Sequence, residues 1–333
     1  MSEKPLQVYV LSGRSERDFS ECEAVLAAVP AQLDILPYIG EEAEVIERTH
    51  DADGLIVSSS PITRHVMSAL KHLKVVVRTG VGYDVIDVPA ATELGVAVVN
   101  IPDLWIREVA NHALALLLAW NRKIPHLFNE VKSGVWNPRV PGPTGSLHGE
   151  TMGILGLGNI GSAFAKRVRA LDMQVIACDP YVDAARFAAL GVERVSLQDL
   201  AARSDYISVH TLLNAETRGL IKAGFLRRMK PSALLINTSR GPVVDEPDLI
   251  RALQEQWIAG AALDVQMREP PAADNPLLQM ENVILTPHAA YYSDPAVAQV
   301  PKRCGEEVAR VLTGQRPLHL VNPEMYQVAT PRA

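Results

Sequence analysis

Short apolar runs of strand length alternate with amphipathic segments of helix length along the whole chain. Before residue 101 the apolar runs fall at 7–11, 33–36, 54–58, 74–78 and 96–99, with helical spacing at 21–29, 41–48 and 63–70 between them. Buried strands separated by helical segments predict a parallel sheet with crossover helices. A second series follows at 152–155, 174–178, 206–210, 233–237, 260–265 and 283–286. Six such strands suffice for a complete doubly wound sheet.

Between the two series, residues 108–121 read as one long helix, with the apolar run 113–120 covering most of its circumference. A helix apolar all round is buried on several sides, so this one is expected at an inter-domain core or a subunit interface. Residues 134–149, with Pro138, Pro141 and Pro143, read as a loop. The helical segment 296–312 follows the last strand and is expected to return to the first domain. The predicted organisation is therefore a discontinuous domain, 1–100 with 294–333, around a second domain, 101–293. Short-period repeats, low-complexity tracts and long charge runs are absent from the sequence.

One stretch carries recognisable chemistry. The apolar run Met152-Gly153-Ile154-Leu155 leads into Gly156-Leu157-Gly158-Asn159-Ile160-Gly161, then an amphipathic segment, then a second apolar run ending at Asp179. Strand, glycine turn, helix, strand and terminal acid form the order of a dinucleotide site. Gly156 permits the sharp turn, Gly158 lets a pyrophosphate approach the backbone, and Gly161 lets the helix pack closely. The helix start at Asn159 and Ile160 offers unpaired N–H groups and a positive dipole end to phosphate. Asp179 is expected to accept hydrogen bonds from the adenosine ribose and to repel a 2′-phosphate, which favours NAD over NADP.

Composition narrows the picture. Hydrophobic content of 48% with 21% charged residues, over 333 residues, describes a soluble protein with room for two cores. A net charge of −6 provides no electrostatic footprint for nucleic acid or an anionic membrane. Cys22, Cys178 and Cys304 are few and widely spaced, which argues against a disulfide framework or a metal site and fits a reducing, cytoplasmic setting. Met1-Ser2-Glu3-Lys4-Pro5 has no signal-peptide core, and 113–120 is too short to span a bilayer.

Three reactive residues follow successive strands of the second series: Arg240, Glu269 and His288. Arginine can fork a carboxylate. Histidine can give a proton to a ketone oxygen as hydride reaches its carbon. A glutamate beside histidine favours the imidazolium. Together they point to interconversion of a 2-keto acid and a 2-hydroxy acid.

The motifs Gly80-Val81-Gly82-Tyr83-Asp84, Asn237-Thr238-Ser239-Arg240-Gly241, Leu263-Asp264-Val265 with Glu269-Pro270, and Thr286-Pro287-His288 occur in order around the glycine turn. In these the chain resembles the D-isomer-specific 2-hydroxyacid dehydrogenase family. Arg78, Asp179-Pro180-Tyr181 and His288-Ala289-Ala290-Tyr291-Tyr292-Ser293 make it most similar to the C-terminal-binding-protein branch. The resemblance implies two flavodoxin- or Rossmann-like α/β domains separated by a deep cleft. It implies that Arg240 binds the substrate carboxylate and that Glu269 and His288 form the proton-transfer dyad. Asp264 would hold the nicotinamide carboxamide. Thr211, Thr217, Thr238 and Ser239 would line the cofactor, with Arg240 and His288 also touching it. Substrate contacts would come from Arg240, from the N–H groups of Val81 and Gly82, and from Arg78 and Tyr291. Arg78 is read either as a second anion contact or as a domain-packing ion pair. A homodimer is implied, paired through the cofactor domain by the 108–121 helix and the loop after it.

The chain departs from the family pattern in having Gln266-Met267 where an aromatic residue often follows the Asp-Val pair, and Tyr291 where the branch often has Trp. The sequence ends at Ala333 without that branch's long tail, and no further regulatory domain is expected. His112 is read as a packed or interface residue, His210 as a wall near the cofactor, and Trp136 and Tyr83 as shapers of the substrate cleft. The expected activity is NAD-dependent oxidoreduction of a small anionic 2-keto or D-2-hydroxy acid. The alternative is an NAD(H)-sensing scaffold of corepressor type with weak or no turnover.

Overall fold

The computed structural model describes residues 4–12, 18–140, 144–328 and 332. Pro141 and Pro143 of the expected loop lie outside them. The chain divides into two compact units, Met1–Trp105 with Ser293–Ala333, and Ile106–Tyr292.

The first unit contains β1 (Leu6–Leu11), α1 (Ser20–Leu26), β2 (Ala31–Leu36), α2 (Glu42–Arg48), β3 (Gly54–Val57), α3 (Arg64–Ala69), β4 (Val75–Arg78), α4 (Val88–Leu94) and β5 (Ala97–Val99). Its sheet is parallel in the order β2-β1-β3-β4-β5, the flavodoxin-like arrangement. The strands are near-continuous runs of Val, Ile and Leu because a parallel sheet is covered on both faces; every residue of β3 and β5 is buried. Helix ends follow local chemistry. Asp87 caps α4 by accepting the Ala90 N–H, and Gly95 closes it in the left-handed region at φ 69°.

The second unit contains α5 (Ile106–Asn121), α6 (Ile124–Lys132), β6 (Thr151–Leu155), α7 (Asn159–Arg169), β7 (Gln174–Cys178), α8 (Ala184–Leu190), β8 (Glu193–Arg194), α9 (Leu197–Arg203), β9 (Tyr206–Val209), α10 (Ala223–Leu226), β10 (Leu234–Asn237), α11 (Glu246–Gln254), β11 (Gly260–Leu263) and β12 (Val283–Leu285). The chain then re-enters the first unit with α12 (Asp294–Leu312) and α13 (Met325–Val328). There α12 packs against α1 and β4.

All pairings in the second sheet are parallel, in the order β12-β11-β10-β9-β6-β7-β8. The order reverses between β6 and β9, which makes the carboxyl ends of these strands the topological switch point where such sheets bind ligands. Two differences from the sequence reading stand out. The sheet has a seventh strand, β8, which at two residues is too short to leave a periodic signal. The long helix is not buried all round: α5 buries the stripe Val109, Ala110, Ala113, Leu116, Leu117 and Asn121, while Arg107, Asn111 and Ala115 are exposed. Its alanines and leucines cover more of the circumference than the core uses. Among the described residues no helix is long and apolar enough to cross a membrane.

Candidate active site

At the switch point, Gly156 turns out of β6 at φ +91°, and a Cβ there would stand 2.8 Å from the His210 carbonyl oxygen. Gly161 packs still tighter, since its Cβ would lie 2.1 Å from the Gly156 oxygen. Neither position accepts a side chain, whereas a Cβ on Gly158 would meet no atom within 4 Å. Gly158 is also the cap of α7 and has no side chain to satisfy the helix's first N–H groups. The start of α7 is therefore an open donor cluster at a positive dipole end.

Asp179 closes the turn. Its Oδ2 accepts the Leu157 N–H at 2.7 Å and its Oδ1 accepts the Tyr181 N–H at 2.9 Å. Each oxygen keeps a lone pair for a further donor. Two buried hydroxyl oxygens, Thr211 Oγ1 after β9 and Thr238 Oγ1 after β10, have no hydrogen-bond partner among the described residues. Buried polar atoms rarely stay unpaired, so these hydroxyls, the open helix start and the Asp179 carboxylate fit a bound dinucleotide. Arg186, not anticipated from the sequence, reaches from α8 to Ser162 Oγ at 3.0 Å and Asn159 Oδ1 at 3.3 Å, adding a cation beside the first turn of α7. No spacing rule links it to the glycine turn. An arginine three residues after the helix cap Asp183 was the only trace.

Arg240, Glu269 and His288 follow β10, β11 and β12, three adjacent strands. His288 Nδ1 lies 2.6 Å from Glu269 Oε2. Glu269 Oε1 accepts the Gln266 N–H at 3.0 Å, so both carboxylate oxygens are held. Partial burial pushes the Glu269 carboxyl up. The His288 hydrogen bond and charge, the Gln266 N–H and the Arg240 charge together outweigh burial and hold it below the usual carboxylate range. With Nδ1 committed to Glu269, His288 Nε2 is the nitrogen left to exchange a proton with a ligand. The edge of the His288 ring meets Tyr291, with centroids 6.3 Å apart.

The turn that carries His288 is built on Asp264. His288 is left-handed at φ 49°, a conformation unfavourable for a residue with a Cβ. Its N–H donates to the Asp264 carbonyl oxygen at 2.8 Å. The Asp264 carboxylate, only 1% exposed, accepts the Thr286 hydroxyl at 2.6 Å and the Ala289 and Ala290 N–H groups at 2.9 Å each. Oδ1 takes two of these donors and Oδ2 one, so Oδ2 keeps a lone pair. His112, read as a packing residue, joins this group, with Nε2 3.0 Å from Thr286 Oγ1.

Other expected residues do local work. The Thr217 hydroxyl donates to the Leu212 carbonyl at 2.6 Å and closes that turn. Ser239 Oγ donates to Asn237 Oδ1 at 2.9 Å, and Asn237 Nδ2 donates to the Arg240 carbonyl at 2.9 Å, so one asparagine shapes the 238–240 turn. His210 donates or accepts with Ser208 Oγ at 2.9 Å and packs its ring on Phe164. Burial pushes its pKa down to about 3 and keeps it neutral. In the first unit Arg78 ends β4, and Val81 and Gly82 follow that strand. There Arg78 Nη1 donates to Thr79 Oγ1 at 3.0 Å, and the Val81 carbonyl accepts from Asn100 Nδ2 at 2.7 Å.

Fold and cradle together define a two-unit α/β protein with a dinucleotide-binding sheet of dehydrogenase type. Residues 114–290 match the family model for the D-isomer specific 2-hydroxyacid dehydrogenase NAD binding domain. The chain is 39% identical over 292 residues to a glyoxylate reductase of Korarchaeum cryptofilum, covering 86% of this chain and 88% of that one. It is 40% identical over 280 residues to a D-3-phosphoglycerate dehydrogenase of Archaeoglobus fulgidus, covering 84% of this chain but 53% of that protein, so it spans about half the length of that relative. The structure of Aquifex aeolicus D-lactate dehydrogenase complexed with NAD and lactic acid is similar at TM-score 0.85 and 27% identity, covering 95% and 99% of the two chains. The chain belongs to the D-isomer specific 2-hydroxyacid dehydrogenase family, and its second unit is an NAD-binding domain. The likeness to the C-terminal-binding-protein branch rests on the sequence motifs alone.

Proposed function

We propose that the chain interconverts a small 2-keto acid and the matching D-2-hydroxy acid with NAD. The observation that carries this reading is the 2.6 Å contact of His288 Nδ1 with Glu269 Oε2 under the influence of the Arg240 charge, on strands adjoining the dinucleotide cradle. When bound, the nicotinamide supplies the hydride for the keto carbon, or takes it back in the reverse direction. Arg240 holds the substrate carboxylate by its guanidinium fork and polarises the neighbouring carbonyl. His288 Nε2 gives the proton to the carbonyl oxygen, while Glu269 stabilises and orients the imidazolium. Asp179, the start of α7, Thr211 and Thr238 hold the dinucleotide, and we add Arg186 to that group. Asp264 acts beneath them by holding the 286–290 turn.

We also assign a homodimer through the second unit. In its support, α6 buries none of its residues, and Ile124, Phe128 and Val131 form one stripe 48–57% exposed. An apolar helical stripe of this kind is a feature of interaction surfaces.

A panel of 2-keto acids offered with NADH and NADPH tests the activity. At least one pairing should turn over, and His288→Ala and Arg240→Ala should each cut kcat/KM by roughly 10²–10⁴-fold with NADH binding retained. Tight NADH binding with no keto acid reduced would instead favour a nucleotide-sensing role.

A further inference from the structure

We propose that Glu246, remote in sequence from the proton-transfer pair, is the positioning residue that holds Glu269 against His288. Glu246 is the first residue of α11, just beyond the Arg240 turn. Its Oε2 accepts the Met267 N–H at 3.1 Å, and its Oε1 accepts a hydrogen bond from Asn275 Nδ2 at 3.0 Å. These are the two ends of the loop that carries Glu269. Asn275 Oδ1 in turn accepts the Leu277 N–H at 3.0 Å, which fastens that end of the loop to the helical turn Pro276–Gln279.

At the other end, two consecutive N–H groups are held by two different glutamates. Gln266 donates to Glu269 Oε1 and Met267 donates to Glu246 Oε2. The orientation of the Glu269 carboxylate therefore depends on the backbone at 266–267, and that backbone is fixed by Glu246. A third tie reaches the same segment, since Gly241 packs so closely on it that a Cβ would stand 1.8 Å from the Gln266 oxygen. Arg240 and Glu269 are thus carried on backbones in direct contact, and the Glu246 side chain bridges both ends of the Glu269 loop. Glu246 needs no contact with substrate for this role. Most residues between the tethers, Met267 to Pro270 among them, are exposed, so packing does little to hold the loop otherwise.

The inference rests on the reading of Glu269 and His288 as a proton-transfer pair, and the test separates the two. In full-length protein, Glu246→Ala should lower kcat by about 10²-fold, the cost of a misplacement near 1 Å, with the NADH Kd unchanged. Glu246→Gln keeps an oxygen for the Met267 N–H but turns an NH2 toward Asn275 Nδ2, so it should recover part of that loss. Asn275→Asp keeps the cap on Leu277 but sets two carboxylates against each other; it should weaken turnover in the same way and guards against a poorly folded Glu246→Ala. The direct readout is the imidazole nitrogen spectrum, recorded without substrate. The His288 Nδ1 resonance in Glu246→Ala should move toward its position in Glu269→Gln. An unmoved Nδ1 resonance, or a kcat loss that Gln fails to rescue, overturns the positioning role. A moved resonance in a protein that reduces no keto acid overturns the reading of function instead.

Discussion

Asp179 offers the sharpest quantitative test of cofactor choice. Its carboxylate is spent twice on the chain, on the Leu157 and Tyr181 N–H groups, and is proposed to bind the ribose as well. Asp179→Ala therefore mixes two losses, whereas Asp179→Asn keeps one oxygen acceptor and removes the charge. Hydrogen bonds to a charged partner contribute about 1.5–3 kcal/mol each, so losing the charge at one ribose hydroxyl should weaken NADH by roughly tenfold. A 2′-phosphate placed about 5 Å from the carboxylate meets a repulsion of roughly 3 kcal/mol per unit charge at an effective dielectric near 20, and less where water screens it. Removing that repulsion should strengthen NADPH by about tenfold or more. The ratio of the two dissociation constants should then shift by about 10²-fold in Asp179→Asn. Fluorescence titration of the reduced cofactors measures both constants without any substrate. If Asp179→Asn weakens NADH and NADPH equally, the carboxylate only supports the turn, and the argument from repulsion fails.

Three other outcomes follow from particular contacts. His210 has a folded pKa near 3, below its unfolded value of about 6.5, so the unfolded chain binds the extra proton and stability is lost as pH falls from 6.5 toward 3. Between pH 6.5 and 5 the wild type should lose about 1.5 kcal/mol more than His210→Gln in urea titrations; parallel losses would mean that His210 takes up its proton in the folded chain as readily as in the unfolded one. Gly241→Ala drives a Cβ into the Gln266 carbonyl and should cost about 3 kcal/mol or displace the Glu269 loop, read as a lower urea midpoint together with reduced kcat. Replacing Ile124 and Phe128 by Glu should convert a dimer into a monomer in sedimentation runs at an unchanged circular dichroism spectrum, because both side chains are more than half exposed in the single chain.

What the sequence made legible was whatever local geometry had already fixed. The glycine turn could be read because Gly156 answers a left-handed backbone and Gly156 and Gly161 both answer a close approach, and Arg240, Glu269 and His288 because each follows a strand of an unmistakable series. Elements without a local signature were missed. β8 pairs only two residues with β7. α6 was hidden because Asn121, Arg122 and Lys123 interrupt the apolar pattern and Lys123 turns left-handed at φ 55° before Pro125 restarts a helix. Glu246 and Asn275 act through partners that are neighbours only once β10 and β11 lie side by side, Arg186 through Ser162 and Asn159 of α7, and His112 through Thr286 after β12, so their functions have no spacing to betray them. Asp264 is a different case: its motif was visible, but a pattern does not show that the carboxylate also holds its own turn.

The arrangement around His288 explains why so many backbone groups are recruited to one side chain. The role proposed for His288 requires one nitrogen presented in a fixed direction, and exposed loops fix directions poorly. Here the His288 backbone is held in an unfavourable left-handed geometry, at a cost on the order of 1–3 kcal/mol. The compensation lies below it, where the buried Asp264 carboxylate accepts three donors from the Thr286–Ala290 turn and the Asp264 carbonyl takes the His288 N–H. The imidazole is then pinned from the other side by Glu269, whose second oxygen is anchored to Gln266. Two carboxylates thus divide the task, Asp264 setting the backbone and Glu269 setting the ring. Neither can be exchanged for the other, because one is buried and spent on N–H groups while the other stands at the surface, where a proton can come and go.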